Sequence, residues 1–121
     1  MNVNLRYGRG ELSIDLPQGL DVTLIRKPKM PIIETPTLAI GEALSNPTNS
    51  PSLDELSVGR KTVCILICDI TRPVPNGLIL KALISKLLDQ GIRADQITVL
   101  IATGLHRPNE GAELEELVGD P

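Results

Sequence analysis

The sequence predicts an α/β domain built around parallel strands. A β-branched, apolar run at 62–68 leads into a polar loop and then a helical pattern at 77–90. The same order returns from a strand at 97–102, through a second polar loop, to a helix at 109–118. Composition agrees: with no Trp, no Phe and one Tyr, the core has to come from Leu, Ile, Val and Ala. Such aliphatic cores suit parallel sheets covered by helices on both faces.

Residues 2–26 read as β-structure. Val3 and Leu5, then Leu12, Ile14 and Leu16, then Val22 and Leu24 alternate with polar neighbours, the period of half-buried strands. Gly8-Arg9-Gly10 supplies a hairpin turn and Pro17-Gln18-Gly19 a second reversal. Residues 27–35 hold two prolines and no helical period, so they form an extended crossover. Thr35-Pro36 has the shape of a cap followed by proline at the first helical position, and Ile40, Ala43 and Leu44 give that helix an apolar stripe. It ends before Pro47, and NPTNSPS is a loop. Ser52 and Glu55 have capping-box spacing for one or two turns closed by Gly59.

From there the pattern is stronger. TVCILIC, 62–68, reads as a central parallel strand. Over 77–90, Leu80, Leu83, Ile84 and Leu87 share one helical face, and Gly91 stops the helix. ITVLIA, 97–102, is the next strand, reached by a right-handed crossover that lays it beside or near the first. The last helix, 109–118, places Glu110 and Glu113 in its first turn and ends at Gly119, just before Pro121. The whole is a three-layer, Rossmann-like α/β domain with a mostly parallel sheet and an amino-terminal β-hairpin region.

Composition also excludes. Few aromatics leave no stacking platform for single-stranded nucleic acid, and a net charge of −3 gives no basic stripe for a duplex. No stretch approaches the roughly 20 apolar residues of a spanning helix, and the start, MNVNLRYGRG, has no apolar signal region. Cys64 and Cys68 lie about 13 Å apart on one strand at roughly 3.3 Å per residue. That is beyond the about 7 Å a disulfide allows, so both read as free, buried, apolar thiols. A cytoplasmic protein is expected.

The chemistry sits in two loops, CDITRPVPNG (68–77) and TGLHRP (103–108), each at the carboxyl end of a strand. Open parallel sheets bind ligands there. Asp69, Thr71, Arg72, Thr103, Gly104, His106 and Arg107 are therefore candidates for one crevice. Asp69 and Thr71 can instead cap the following turn, and Arg72 can pair with Asp69. Arg72 also offers a planar fork for a carboxylate or phosphate. Gly104 lets backbone amides approach an anion, and His106, the one histidine, is the natural proton shuttle near neutral pH. The residues alone leave three readings: an enzyme site, a non-enzymatic anion- or nucleotide-binding module, and a domain whose loops only cap helices and meet a partner.

The span 67–121, with the paired Asp-x-Thr-Arg-Pro-x-Pro and Thr-Gly-x-His-Arg-Pro motifs, resembles the amino-terminal domain of the nickel-dependent lactate racemase family. YGRGELSIDLP and ALSNPTNSPSLDEL extend the resemblance over almost the whole chain, with Leu105 standing where the family loop has a second threonine. The resemblance implies that residues 1–121 are the amino-terminal domain of a longer racemase-like protein whose second domain is absent from this chain. It implies an isomerase that inverts the carbinol carbon of a small 2-hydroxy acid using a nickel pincer nucleotide. His106 would exchange the hydroxyl proton, Arg72 would orient the carboxylate, and Asp69, Thr71, Thr103 and Gly104 would line the cofactor pocket. No metal ligand is expected here, and the chain alone is expected to be inactive and to bind no cofactor tightly.

Overall fold

The computed structural model describes residues 1–119; the expected domain end at Pro121 lies outside them. The chain divides into two compact units, Met1–Pro31 and Ile32–Pro121. In the first, β1 (Asn2–Tyr7) pairs antiparallel with β2 (Gly10–Asp15). The register sets Val3 opposite Ile14 and Leu5 opposite Leu12 on one face, and Asn2, Asn4 and Arg6 opposite Asp15, Ser13 and Glu11 on the other. The polar face is cross-linked by Asn2 Nδ2 donating to Asp15 Oδ1 at 2.9 Å and Ser13 Oγ donating to Asn2 Oδ1 at 2.9 Å. Gly8 turns the chain with φ +56°, which glycine adopts at no steric cost. The expected third alternation is not a strand. Val22 and Leu24 are exposed and in no ladder, because alternation sets side-chain faces but supplies no hydrogen-bonding partner.

The second unit begins with α1 (Pro36–Ser45), which has proline at its start as expected, although the Thr35 side chain makes no cap. In α2 (Leu53–Ser57), Ser52 N–H donates to Glu55 Oε2 at 2.8 Å and Glu55 N–H to Ser52 Oγ at 3.3 Å, a complete capping box. These bonds favour the charged Glu55 carboxylate and hold its pKa below the usual range. β3 (Val63–Cys68) and β4 (Ile97–Ala102) pair parallel and in register, Val63 opposite Ile97 through Cys68 opposite Ala102. Between them α3 (Asn76–Asp89) ends in a Schellman motif: Ile92 N–H reaches Leu87 O at 3.2 Å and Gly91 N–H reaches Leu88 O at 2.9 Å. Leu87 and Ile92, the two residues joined by the first of these bonds, are both buried. A 3-10 turn, Ala94–Gln96, then leads into β4.

The last helix, α4 (Ala112–Val118), starts later than the sequence suggests. Gly111 has φ +55°, which an α-helix does not admit, so Asn109 and Glu110 precede the helix. Glu113 and Glu115 fill the first turn instead, and Gly119 closes the helix at φ +79°. The core gathers Ile67, Leu80 and Leu117 with Ile65, Ile84, Val99 and Ile101 around them. Helices α1, α2 and α4 all pack on α3, and Lys86 of α3 bridges to Asp54 of α2 at 2.8 Å.

Among the described residues of the second unit, helices cover one face of this sheet and not the other. Ile65, Ile67, Val99 and Ile101 point into the core, whereas Leu66 is 66% and Leu100 51% exposed, with Cys64 and Thr98 beside them. Cys64 is thus not the buried thiol expected from its apolar strand. Among the described residues the β3–β4 sheet is a mixed α/β arrangement with helical cover on one side. Full burial of an aliphatic side chain is worth about 1.5–3 kcal/mol, and among the described residues five apolar side chains are buried, Leu87 most completely.

Two glycine substitutions test this packing. A Cβ on Gly77 would lie 2.7 Å from Gly119 Cα and 2.9 Å from Val118 O, whereas one on Gly41, inside α1, meets nothing within 4 Å. Gly77→Ala should therefore destabilise by about 1–3 kcal/mol through overpacking. Gly41→Ala should instead stabilise by about 0.5–1 kcal/mol through helix propensity. Urea unfolding followed by circular dichroism checks both signs.

Candidate proton-transfer and anion site

The in-register pairing of β3 with β4 starts both polar loops at the same level of the sheet, Asp69 after Cys68 and Thr103 after Ala102. Each loop then folds back in a tight turn. Arg72 N–H donates to Asp69 O at 3.2 Å, and His106 N–H donates to Thr103 O at 3.0 Å. Gly104 makes the second turn possible with φ +59°. The result is a shallow depression of about 360 Å³ lined by Cys68, Asp69, Arg72, Thr103, Gly104 and His106, with Ala102 and Leu105. Leu105, at the tip of the histidine loop, is fully exposed.

Asp69 is the fixed point of the site. It is 5% exposed, and both carboxylate oxygens are engaged. Oδ1 accepts from Thr71 Oγ1 at 2.6 Å and from Thr71 N–H at 3.2 Å, and Oδ2 faces His106 Nδ1 in a short contact. The Thr71 hydroxyl, followed by the His106 ring, holds the Asp69 carboxyl below the usual carboxylate range. An ionised carboxylate accepts but does not donate, so His106 Nδ1 must carry the hydrogen. In the neutral ring Nε2 then carries the lone pair, at the free end of a side chain that is 55% exposed. A buried acceptor orienting one imidazole nitrogen and leaving the other available is a general-base geometry.

The structure brings Asp69, Arg72, Thr103, Gly104 and His106 to one depression, and Thr71 buttresses it from behind. Arg72 does not pair with Asp69, whose oxygens Thr71 and His106 occupy. Among the described residues no ion pair holds the Arg72 guanidinium, so its fork is available to an anion. Arg107 leaves the site: its two terminal guanidinium nitrogens, Nη1 and Nη2, donate to the two oxygens of Glu113, each at 2.7 Å, and that carboxylate raises its pKa. Sequence reasoning passed over Asn109, which is 8% exposed and whose Oδ1 accepts from Ile70 N–H at 3.3 Å. A polar residue directly after the Thr-Gly-x-His-Arg-Pro motif was the signal available.

The lactate racemase N-terminal domain family matches residues 7–121. A lactate racemase of Thermoanaerobacterium thermosaccharolyticum is 32% identical over 120 residues, which is 96% of this chain and 27% of that protein. A lactate racemase of Lactiplantibacillus plantarum is 37% identical over 81 residues, which is 67% of this chain and 19% of that protein. The chain therefore spans about a quarter of the length of the first relative, and the second match about a fifth of its relative.

The engaged carboxylate makes stability depend on pH. Because the folded pKa of Asp69 is depressed, its contribution is complete above the unfolded value, about 3.9. It is lost as pH falls through the lower folded value. Wild type should thus be more stable than Asp69→Asn at pH 6, with the gap narrowing as pH drops below 4. Thr71→Val should shift that loss toward higher pH. Denaturant midpoints measured from pH 2.5 to 7 check the order.

Proposed function

The chain belongs to the lactate racemase N-terminal domain family, and from that premise we propose that it is the amino-terminal half-site of a 2-hydroxy-acid racemase or epimerase. The observation that carries this reading is the Asp69–His106 pair, set at the carboxyl end of a parallel sheet beside Arg72. Inversion of a carbinol carbon breaks its C–H bond and remakes it on the opposite face. When that hydrogen leaves as hydride to an acceptor held elsewhere in a longer protein, the hydroxyl proton has to leave and return with it. His106 Nε2 takes that proton, and Asp69 keeps Nδ1 protonated and steadies the imidazolium that forms. Arg72 binds the substrate carboxylate with its planar fork and so fixes which side of the carbinol faces His106. Thr103 and Gly104 give the anionic end of the ligand a close backbone wall.

A nickel centre does not fit the residues described here. They gather no cluster of three or more His, Cys, Asp or Glu, and the one imidazole turns Nδ1 toward Asp69. A nickel pincer nucleotide, the cofactor implied by the resemblance, has to draw its metal ligands from elsewhere in a longer protein. This chain supplies the proton and carboxylate chemistry, and Asp69, Thr71, Thr103 and Gly104 line its side of the cofactor pocket. Among the described residues no helix is long and apolar enough to cross a membrane. A cytoplasmic place, with its thiols reduced, belongs to the same reading.

The bare apolar face of the β3–β4 sheet supports the view that residues 1–121 work joined to a carboxy-terminal domain. Parallel sheets are almost always buried on both faces, and the relatives are several times longer than this chain. Cover on that face would complete the three-layer, Rossmann-like arrangement.

The test is made in a full-length racemase carrying this domain. His106→Ala should lower turnover by about 10²- to 10⁴-fold with the fold intact by circular dichroism. Arg72→Lys should raise KM for the hydroxy acid as well as lower kcat, since charge is kept but the fork is lost. Wild-type turnover in a folded His106→Ala enzyme would remove the histidine from the mechanism. The 121-residue chain by itself should neither racemise lactate nor show a submicromolar nickel site by calorimetry, because such sites need several imidazole or thiolate ligands.

A further inference from the structure

We propose that Asn109 is a positioning residue that holds the Asp69 carboxylate against His106 by tying the two loops together. The inference rests on the reading of His106 as the proton-transfer group. Asn109 is 8% exposed and stands three positions after His106, on the same loop. Its Oδ1 accepts from the N–H of Ile70, the residue next to Asp69, across a separation of 39 residues. Its Nδ2 donates to Glu113 Oε2 at 3.2 Å. The orientation of this amide is dictated by its partners, since a backbone N–H only donates and a carboxylate only accepts.

The bond acts on the right peptide. Asp69 C=O and Ile70 N–H belong to one peptide plane. Its oxygen accepts from Arg72 N–H at 3.2 Å, and its hydrogen is held by Asn109. With both ends fixed, the backbone that carries the Asp69 side chain is held in place, and its carboxylate stays within reach of Thr71 and His106. Behind Asn109, Glu113 is clamped by both guanidinium nitrogens of Arg107 at 2.7 Å. A relay thus runs from Arg107 through Glu113 and Asn109 to the Asp69 backbone, and ends at the imidazole. Asn109 has to be an acceptor at one end and a donor at the other. Leucine of similar size is neither, and aspartate would set a like charge against Glu113.

Because His106 is the only histidine, long-range ¹H–¹⁵N spectra of the whole 121-residue chain show one imidazole, and its tautomer is read directly. At a pH where the ring is neutral, wild type should be mostly the Nδ1–H form. Asn109→Leu and Asn109→Asp should lose that majority while circular dichroism stays native. Asn109→Asp combined with Glu113→Gln exchanges donor and acceptor across the contact and should restore it. A folded Asn109→Leu chain that keeps the Nδ1–H majority would overturn the proposal. If Asn109→Leu unfolds, the aspartate pair decides: no recovery in the folded double variant overturns it equally. A wild-type chain lacking the Nδ1–H majority, or an Asp69→Asn chain retaining it, would instead sink the Asp69–His106 pairing itself.

Discussion

The site depends on one constraint, the in-register parallel ladder between β3 and β4. Pairing Cys68 with Ala102 brings Asp69 and Thr103 out of the sheet side by side. A slip of one residue would turn every side chain of one strand to the opposite face. Ile65 and Ile67 would then leave the core, so the hydrophobic pattern enforces the register and the register aligns the loops. Two residues 37 apart in sequence are therefore brought within hydrogen-bonding reach, and Asn109 ties the same two loops. The Schellman cap at Gly91 contributes at a distance, because it ends α3 and sends the chain back toward β4.

Around that ladder the polar groups are arranged so that each buried donor meets an acceptor. No buried side-chain nitrogen or oxygen among the described residues lacks a partner. This matters most at Asp69, since a buried carboxylate without partners would take up a proton and become a donor itself. Thr71 prevents this from two residues away, using both its hydroxyl and its amide. The ionised acid in turn decides which imidazole nitrogen is free. The chemistry of the exposed ring is thus set by bonds made on its hidden side.

Much of this was legible from residue order. The strand at 97–102, the helix over 77–90, the capping box at Ser52 and Glu55, and the two loops at one sheet edge follow from periodicity and turn chemistry, and the structure has them. What escaped was whatever depended on a partner. TVCILIC is apolar on both faces, which says that either face suits burial but not that anything covers Leu66. Val22 and Leu24 alternate, yet alternation does not supply a neighbouring strand. Arg107 sits beside His106 in sequence, but its partner Glu113 lies across the positive-φ break at Gly111, where helical spacing rules do not apply. The same break hid Asn109, whose position reads as the first residue of a helix.

The strand pair that aligns the site is also this chain's hazard for self-association. VCILIC and ITVLIA are uncharged six-residue segments, rich in β-formers and free of proline, the composition that stacks into cross-β fibres. Charges stand only at their ends: Arg60 and Lys61 before the first, Asp69 after it, and Asp95 before the second. Such flanking charges act as gatekeepers against stacking. Asp69 therefore guards the colloidal behaviour of a partly folded chain with the same carboxylate that pairs with His106 in the native one. Selection on either property would preserve the other, and an acidic medium that neutralises the carboxylate would weaken both together.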